Sequence, residues 1–252
     1  MKTALITGAS SGIGRDIARE LSRQGWKLLL VARRRDRLEQ LAKELGTPCR
    51  IYVCDVSREE NCRWLYERTR EHQVRLLVNA AGFGLFGEFL HTDLDREMEM
   101  IDVNIKAVHI LTKLFLQDFV RQDAGCILNV ASSAGFMAGP LLSTYYATKN
   151  YVVRLSEAIA EELRAMGSAV TISCLCPGPV DTEFNQHAGV SGFSVKALSS
   201  ETVAKQAVRQ ALAGKLFILP GLSVKMGTIA SRLIPEKPLL RIVHGIQKGK
   251  AK

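Results

Sequence analysis

One tyrosine and one lysine in the middle of the chain have the spacing of an acid–base pair. Tyr145 and Lys149 are four residues apart in a helical pattern, so they share one helix face, whereas Tyr146 has Asn150 at that offset. Hydride addition to a carbonyl builds negative charge on oxygen, and a phenol beside an ammonium can deliver the compensating proton. The ammonium is expected to lower the tyrosine pKa from about 10. The pair alone is a weak signal, because amphipathic helices produce it by chance.

A second signal is a glycine-rich turn near the N-terminus, with the sequence TGASSGIG at residues 7–14. Glycines let the backbone turn tightly and approach a pyrophosphate, whose charge is stabilised at the N-terminus of the following helix. The spacing G-x-x-x-G-x-G differs from the common dinucleotide motif G-x-G-x-x-G. An ordinary tight strand–helix connection is the alternative, but the position directly after the first predicted strand favours nucleotide binding.

The apolar pattern predicts the elements that must bring these residues together. Short, continuously apolar runs are typical of buried parallel strands, and they occur at residues 2–7, 27–32, 50–53, 76–79, 126–131, 170–176 and 216–219. Amphipathic helical patterns lie at residues 13–24, 35–45, 59–72, 94–120, 143–166 and 201–213. This alternation predicts an α/β fold, a single-domain Rossmann-type doubly wound parallel sheet of about seven strands with helices on both faces. Residues 1–220 would form that domain, and residues 221–252 a basic extension packed on it.

The residues after the second predicted strand indicate which dinucleotide binds. An acidic residue there usually binds the ribose 2′-hydroxyl, whereas an arginine accommodates a 2′-phosphate. Here Ala32 is followed by Arg33, Arg34 and Arg35. A guanidinium pairs with phosphate through two hydrogen bonds, so Arg33 is the first candidate and Arg34 the second, with Ser10 as a further contact. Arginines that only solvate a helix start are the weaker alternative, because positive charge there is unfavourable. We predict NADP(H) rather than NAD(H).

With these motifs, the chain resembles the short-chain dehydrogenase/reductase family of single-domain Rossmann-type enzymes, over residues 7–182 and recognisably further. The resemblance implies that Ser132, thirteen residues before Tyr145, holds and polarises the substrate oxygen. It implies that Asn104 anchors a water linked to Lys149, and that this lysine also hydrogen-bonds the nicotinamide ribose. The predicted catalytic set is therefore Asn104, Ser132, Tyr145 and Lys149.

The resemblance also implies cofactor contacts at the carboxyl ends of the strands. The backbone at residues 10–13 meets the phosphates and ribose, and Asp55 meets the adenine. Residues 79–82 support the sheet and line the adenosine side, and residues 177–182 meet the nicotinamide amide. The predicted cofactor set is Gly8, Ser10, Ser11, Gly12, Ile13, Gly14, Arg33, Arg34, Asp55, Val56, Asn79, Ala80, Ala81, Gly82, Tyr145, Lys149, Pro177, Gly178, Val180 and Thr182.

Apolar residues near these motifs suggest an apolar substrate, such as an acyl chain, a steroid or an aromatic ketone. The pocket candidates are Phe83, Leu85, Phe86, Phe136, Met137, Leu142 and Phe184. The predicted substrate contacts are Ser132, Tyr145, Phe83, Phe136 and Phe184. Most of the apolar residues would serve equally well in core or interface packing. The resemblance makes residues 183–199 a mobile flap with Phe184, Phe193 and Val195 as its apolar face, and an ordinary surface loop is the alternative.

Composition excludes several other classes of protein. The chain has 252 residues, 47% of them hydrophobic, which is typical of a globular protein. Its six cysteines form no C-x-x-C pair, so reduced thiols are expected. We predict a cytoplasmic protein, because the first apolar run is too short for a signal peptide and no run of about 18 apolar residues occurs. The histidines show no ligand pattern, and no metal is expected.

The net charge of +9 is concentrated at the C-terminal end, where residues 215–252 hold eight basic residues and one acid, Glu236. Residues 224–234 predict a basic amphipathic helix that Pro235 and Pro238 would end. A solvated tail, shallow membrane contact, and packing against the pocket or a partner subunit are the alternatives, and no nucleic-acid partner is expected. The resemblance implies a homodimer or homotetramer that pairs through the two longest helices.

Three functions are compatible with this fold, because a fold alone does not establish activity. A non-catalytic NADP sensor and a lipid-surface interaction protein are the alternatives to an enzyme. The four intact residues of the predicted catalytic set favour catalysis. We predict an NADP(H)-dependent oxidoreductase that interconverts a carbonyl and an alcohol, with Tyr145 as general acid/base.

Overall fold

The computed structural model describes residues 1–184, 188–189 and 197–249. The strands of its main sheet are β1 Thr3–Thr7, β2 Lys27–Ala32, β3 Cys49–Val53, β4 Val74–Asn79, β5 Cys126–Val130, β6 Thr171–Leu175 and β9 Phe217–Ile218, and β7 Val180–Asp181 pairs separately with β8 Leu198–Ser199. Within the described residues, seven parallel strands follow the order β3-β2-β1-β4-β5-β6-β9. The predicted fold class is confirmed.

Helices connect the strands and cover both faces of the sheet. They are α1 Gly12–Arg23, α2 Arg35–Glu44, α3 Glu59–Thr69, α4 Leu94–Ile101, α5 Val108–Arg121, α6 Ser143–Ala165, α7 Ser200–Leu212, α8 Leu222–Leu233 and α9 Glu236–Lys248. A π-helical turn, Asp102–Ala107, joins α4 to α5. Short 3₁₀ turns lie at Arg70–His72 and Ser133–Phe136.

Two apolar cores lie on opposite faces of the sheet. One packs α1, α2 and α7 against the strands and fully buries Ile17, Leu38 and Val203. The other packs α3, α5 and α6 and buries Leu65 and Phe115. Each buried side chain of this size stabilises the fold by roughly 2 kcal/mol. Because the sheet is covered on both sides, its strands are apolar without alternation.

The strand order places a crevice between β1 and β4. The chain leaves β1 towards β2 on one side and β4 towards β5 on the other, and ligands of doubly wound sheets bind at such a point. Gly8 follows β1 with φ of +66°, and a Cβ there would lie 2.8 Å from the Ala80 carbonyl oxygen after β4. Only glycine therefore allows the two loops to approach this closely.

Two regions differ from the predicted elements. The β7–β8 pair was not predicted, because two-residue strands carry no periodic signal. The C-terminal segment forms two helices, since Pro238 stands in the first turn of α9, where the missing N–H costs nothing. No helix among the described residues combines the length and apolarity needed to cross a membrane.

Candidate active site

A cavity of about 430 Å³ opens along the carboxyl ends of the strands. Its wall combines loops that follow six different strands, as expected at a switch point. It contains the predicted residues Gly8, Ser10, Ser11, Gly12, Ile13, Gly14, Arg33, Arg34, Asp55, Val56, Ala80, Ala81, Gly82, Phe83, Ser132, Leu142, Tyr145, Lys149, Pro177, Gly178, Val180, Thr182 and Phe184. No group of three or more His, Cys, Asp or Glu side chains that could hold a metal occurs in the described parts of the chain.

Two residues predicted to contact ligands lie outside this wall. Asn79 is buried in the sheet and donates hydrogen bonds to Asn129 at 2.9 Å and Thr112 at 3.1 Å, so it joins β4 to its neighbours. Phe136 packs against the Phe217 ring with centroids 5.6 Å apart. Asn79 thus supports the sheet, as the resemblance implied, and Phe136 packs against β9, while the ligand contacts expected of both residues stay predictions.

Some of the other apolar pocket candidates lie in the cavity wall and others lie outside it. Leu85, Phe86 and Met137 are absent from the cavity wall among the described residues. Phe193 and Val195 lie outside the described residues. The Phe184 ring packs on Tyr145 with centroids 5.4 Å apart. The apolar lining beside the phenol therefore includes Phe184.

Tyr145, Lys149 and Ser132 face the cavity together. Lys149 Nζ lies 5.7 Å from the centre of the Tyr145 ring and donates a hydrogen bond to the Val130 carbonyl at 3.0 Å. Ser132 follows β5, is hydrogen-bonded to Tyr145, and accepts a bond from the Ala134 N–H at 3.2 Å. A hydroxyl, a phenol and an ammonium thus converge on one point of the wall.

Asn104 lies just behind this group, fully buried in the π-helical turn. Its Oδ1 accepts a hydrogen bond from the Phe83 N–H at 3.2 Å, and its Nδ2 donates to the Phe83 carbonyl at 2.9 Å and to Thr148 at 3.1 Å. A Cβ at Gly82 would lie 2.9 Å from Asn104 Oδ1 and 3.3 Å from Lys149 Nζ. Asn104 and Lys149 therefore approach each other beside a residue without a side chain. Turns of this π-helical kind often mark functional sites.

Burial controls the proton affinities of the two central groups. Desolvation lowers the pKa of Lys149 to about 8, because it disfavours the ammonium. Desolvation likewise raises the pKa of Tyr145, and the hydrogen bond with Ser132 acts in the opposite direction. The predicted lowering of the Tyr145 pKa is therefore wrong. The physical reason is that desolvation of the phenolate dominates, while Lys149 is bonded to Val130.

We expect the Lys149→Met variant to be more stable than the wild type near pH 7 by roughly 3 kcal/mol, because it removes a buried ammonium. The Lys149 pKa is about 8 in the folded protein and 10.5 as the reference value, so the unfolded chain binds more protons between these values. Wild-type stability therefore rises with pH through this window, and the advantage of the variant shrinks. Urea unfolding of the nucleotide-free protein across that range measures the difference.

Lys113→Met, at an exposed position on α5, is the matched control and should change stability little. A Lys149→Met effect that is the same at every pH would show that the ammonium is not destabilised by burial.

The opposite end of the cavity carries a guanidinium held by two serines. Arg34 Nη2 donates hydrogen bonds to Ser10 Oγ at 3.2 Å and to Ser11 Oγ at 3.0 Å. Arg33 instead pairs with Glu99 at 3.0 Å, and its side chain is 62% exposed. The structure thus places Arg34, rather than the first-ranked Arg33, against the glycine turn.

The start of α1 has hydrogen-bonding capacity for an anion. Ser11 at the N-cap makes no side-chain cap bond, and the first turn holds no acidic residue. Gly12 has φ of +52°, and a Cβ there would meet the Thr182 side chain at 3.2 Å. A helix N-terminus without a side-chain cap, next to Arg34, suits a dinucleotide pyrophosphate and one further phosphate.

Two charged or polar residues of the cavity wall that the sequence analysis did not assign to the site are Glu183 and Gln247. Glu183 pairs with Arg34 at 3.3 Å and with Arg37 at 2.6 Å, and the hydrogen bond from Arg37 lowers its pKa. Gln247, on α9, reaches the wall beside Tyr146. The sequence does place Gln247 four residues after the apolar Val243, which indicates a shared helix face. Nothing in the sequence connects that face to α6.

Comparison with known proteins gives a consistent picture. The family model "short chain dehydrogenase" matches residues 2–190. Estradiol 17-beta-dehydrogenase 11 of Mus musculus is 31% identical, covering 96% of this chain and 83% of its own. A short-chain dehydrogenase from Sphingobium yanoikuyae in complex with NADPH has a TM-score of 0.83 at 28% identity, covering 92% of this chain and 94% of its own. A short-chain dehydrogenase/reductase from Burkholderia phymatum in complex with NAD has a TM-score of 0.83 at 26% identity, covering 90% and 91%. Similar structures therefore bind either dinucleotide.

Proposed function

This chain belongs to the short-chain dehydrogenase family of oxidoreductases, and we propose that it interconverts a carbonyl and an alcohol with NADP(H), using Tyr145 as general acid/base. The observation that carries the proposal is the convergence of Ser132, Tyr145 and Lys149 on a cavity whose far end holds Arg34 against the glycine turn. When bound, the nicotinamide cofactor supplies the hydride.

In the proposed reduction, Ser132 and Tyr145 both hydrogen-bond the substrate carbonyl oxygen. The phenol gives its proton to that oxygen as negative charge develops there. A phenol is protonated at neutral pH, as a proton donor must be. Lys149 places positive charge behind the phenol, and Asn104 acts as a positioning residue for this lysine.

We propose an apolar substrate, because Leu142, Phe184 and Ala188 lie in the wall that also holds Tyr145. Estradiol, after which the mouse relative is named, is a steroid and belongs to that class. The test is a screen of NADPH oxidation with steroid ketones, aromatic ketones, 3-oxoacyl thioesters and quinones. We expect turnover with apolar ketones and a preference for NADPH over NADH. Cofactor binding without any turnover would favour the non-catalytic sensor instead.

We also propose a cytoplasmic homodimer or homotetramer in which residues 221–252 belong to the same domain as residues 1–220. All six cysteines are free thiols, which suits a reducing compartment.

Met98, Val120 and Tyr151 are exposed on α4, α5 and α6, so these helices offer apolar surface for a second copy. Light scattering of the full chain tests the assembly, and a monomer would contradict it.

The outer face of α8 supports shallow contact with an anionic membrane. Leu222, Met226, Ile229 and Leu233 recur at helical spacing and are between 54% and 79% exposed. Basic residues, including Arg232, lie on the same helix. An apolar stripe beside cations is typical of helices that lie in a bilayer interface. We therefore propose an anionic lipid surface as the partner of this face.

The double variant Met226→Glu/Ile229→Glu is expected to bind vesicles containing phosphatidylserine at least roughly tenfold more weakly, because apolar surface is lost and negative charge gained. Sedimentation of the full chain with such vesicles measures this. Leu212→Glu, an exposed position on α7, is the matched control and should bind as the wild type does. Unchanged vesicle binding with a smaller oligomer would assign the face to a second copy instead.

A further inference from the structure

The cavity wall contains a polar pair that the proposed reaction does not use. Gln247 lies on the inner face of α9, four residues after Val243, and is only 1% exposed. Its Nε2 donates a hydrogen bond to the Tyr146 hydroxyl. Its Oε1 is buried and has no hydrogen-bond partner within the described residues.

This amide oxygen is in an environment that penalises an unpaired acceptor. Ala134, Leu142, Tyr146 and Val243 form a buried apolar cluster at the same place. A buried polar atom without a partner destabilises a fold, so each instance requires an explanation. Among the four such side-chain atoms in the described residues, only that of Gln247 belongs to the cavity wall. The unpaired oxygen therefore belongs to a buried side chain that borders the cavity, and a ligand group placed beside it would supply the missing partner.

Packing fixes the other member of the pair. A Cβ at Gly139 would lie 2.4 Å from the Tyr146 ring, so this ring can lie there only because residue 139 has no side chain. The Tyr146 ring also makes an edge contact with Tyr145, with centroids 6.2 Å apart. The Tyr146 hydroxyl accepts the bond from Gln247, and its own proton remains to be donated. The pair thus offers one hydrogen-bond acceptor, Gln247 Oε1, and one donor, the Tyr146 hydroxyl. Both lie beside the Tyr146 ring, which contacts the ring of the proton-donating Tyr145.

We propose that Gln247 and Tyr146 form a subsite for a hydroxyl group of the substrate. The hydroxyl donates a hydrogen bond to Gln247 Oε1 and accepts one from Tyr146. This inference rests on the proposed function, which places the reacting carbonyl at Tyr145. The substrate class is then an apolar ketone that carries a hydroxyl group as well as its carbonyl, or the corresponding diol. A carboxylate does not fit, because it would place negative charge against the unpaired amide oxygen.

Matched ketones and matched variants test the subsite. The probes are meta- and para-hydroxyacetophenone with their methoxy and methyl counterparts, which keep the ring and remove the hydrogen-bond donor. The proteins are the wild type, Gln247→Met, Tyr146→Phe and the double variant. The measurements are kcat/KM with NADPH and the melting-temperature shift that each probe causes with NADP⁺ present.

We expect the wild type to prefer one hydroxy ketone over its methoxy counterpart by roughly tenfold to a hundredfold, and Gln247→Met to reduce that ratio to near one. The double variant should melt at or above the wild-type temperature, because neither polar group is left without a partner. If the pair only stabilised the fold, the double variant would melt below the wild-type temperature, and Gln247→Met would leave the ratio of hydroxy to methoxy ketone turnover unchanged.

The two proposals fail differently. Equal turnover of all three ketones by the wild type overturns the subsite and leaves the reaction standing. A melting shift specific to the hydroxy probe, lost in Gln247→Met, without any turnover supports the subsite and overturns the reaction. The wild type could also prefer the hydroxy and methoxy ketones equally over the methyl ketone and lose this preference in Gln247→Met. That result would show a subsite that only donates a hydrogen bond, and it would overturn the assignment of Gln247 Oε1 as acceptor. If no probe shifts the melting temperature and none is turned over, both the subsite and the reaction are overturned.

Discussion

Replacement of Tyr145 by phenylalanine is expected to lower kcat for ketone reduction by about two to four orders of magnitude, the usual contribution of a positioned general acid. The phenol is the group that shares the cavity with Ser132 and Lys149, and a phenol carries its proton at neutral pH. NADPH binding should stay nearly intact, because Arg34 and the glycine turn lie at the other end of the cavity. Single-turnover kinetics together with a fluorescence titration of NADPH separate these two effects.

Tyr151→Phe is the matched control for this prediction. Tyr151 lies on the same helix, and its hydroxyl pairs with His109 at 2.8 Å. It is part of neither the cavity wall nor the predicted catalytic set. Its variant should keep wild-type kcat. Full activity of Tyr145→Phe would show that the proton comes from another group.

Replacement of Arg34 by alanine is expected to weaken NADPH binding by roughly tenfold to a hundredfold, because a charge-assisted hydrogen bond to phosphate is lost. NADH binding should change little, since NADH has no 2′-phosphate. Arg34 is already oriented by Ser10 and Ser11, so little side-chain freedom remains to be lost on binding. Glu183 also pairs with Arg34, and a bound phosphate would compete with that carboxylate.

Arg33→Ala is the comparison that decides between the two arginines. Arg33 pairs with Glu99 in a solvent-exposed arrangement, where charge pairs contribute little. We expect its variant to keep most of the NADPH affinity. Dissociation constants for both dinucleotides with both variants measure the difference. A larger loss in Arg33→Ala would restore the ranking suggested by the sequence, and a wild-type preference for NADH would overturn the choice of cofactor.

Local signals were sufficient for the fold and for the placement of most of the site. The continuous apolar runs are strands because both sheet faces are covered, and the glycine turn follows β1. The four-residue spacing of Tyr145 and Lys149 survives folding unchanged, because a helix fixes which residues share a face. These features depend on neighbours in the sequence, which is why a pattern can predict them.

The remaining features depend on contacts between distant residues. Arg33 and Arg34 adjoin each other after β2, and only the packing of that loop on the glycine turn distinguishes them. Gln247 meets Tyr146 across 101 residues, and no motif marks either one. The expected lowering of the Tyr145 pKa was reversed because sequence spacing carries no information on how deeply a phenol is desolvated.

Transfer of deuterium from labelled NADPH to a ketone tests the central proposal most directly. The enzyme is incubated with NADPH deuterated at the transferable position and with a ketone that it consumes, and the alcohol is examined by mass spectrometry. We predict one deuterium on the carbinol carbon of the wild-type product and almost no product with Tyr145→Phe. An alcohol without deuterium on that carbon, or equal product from both proteins, would contradict a hydride-transfer enzyme that uses this tyrosine as its acid.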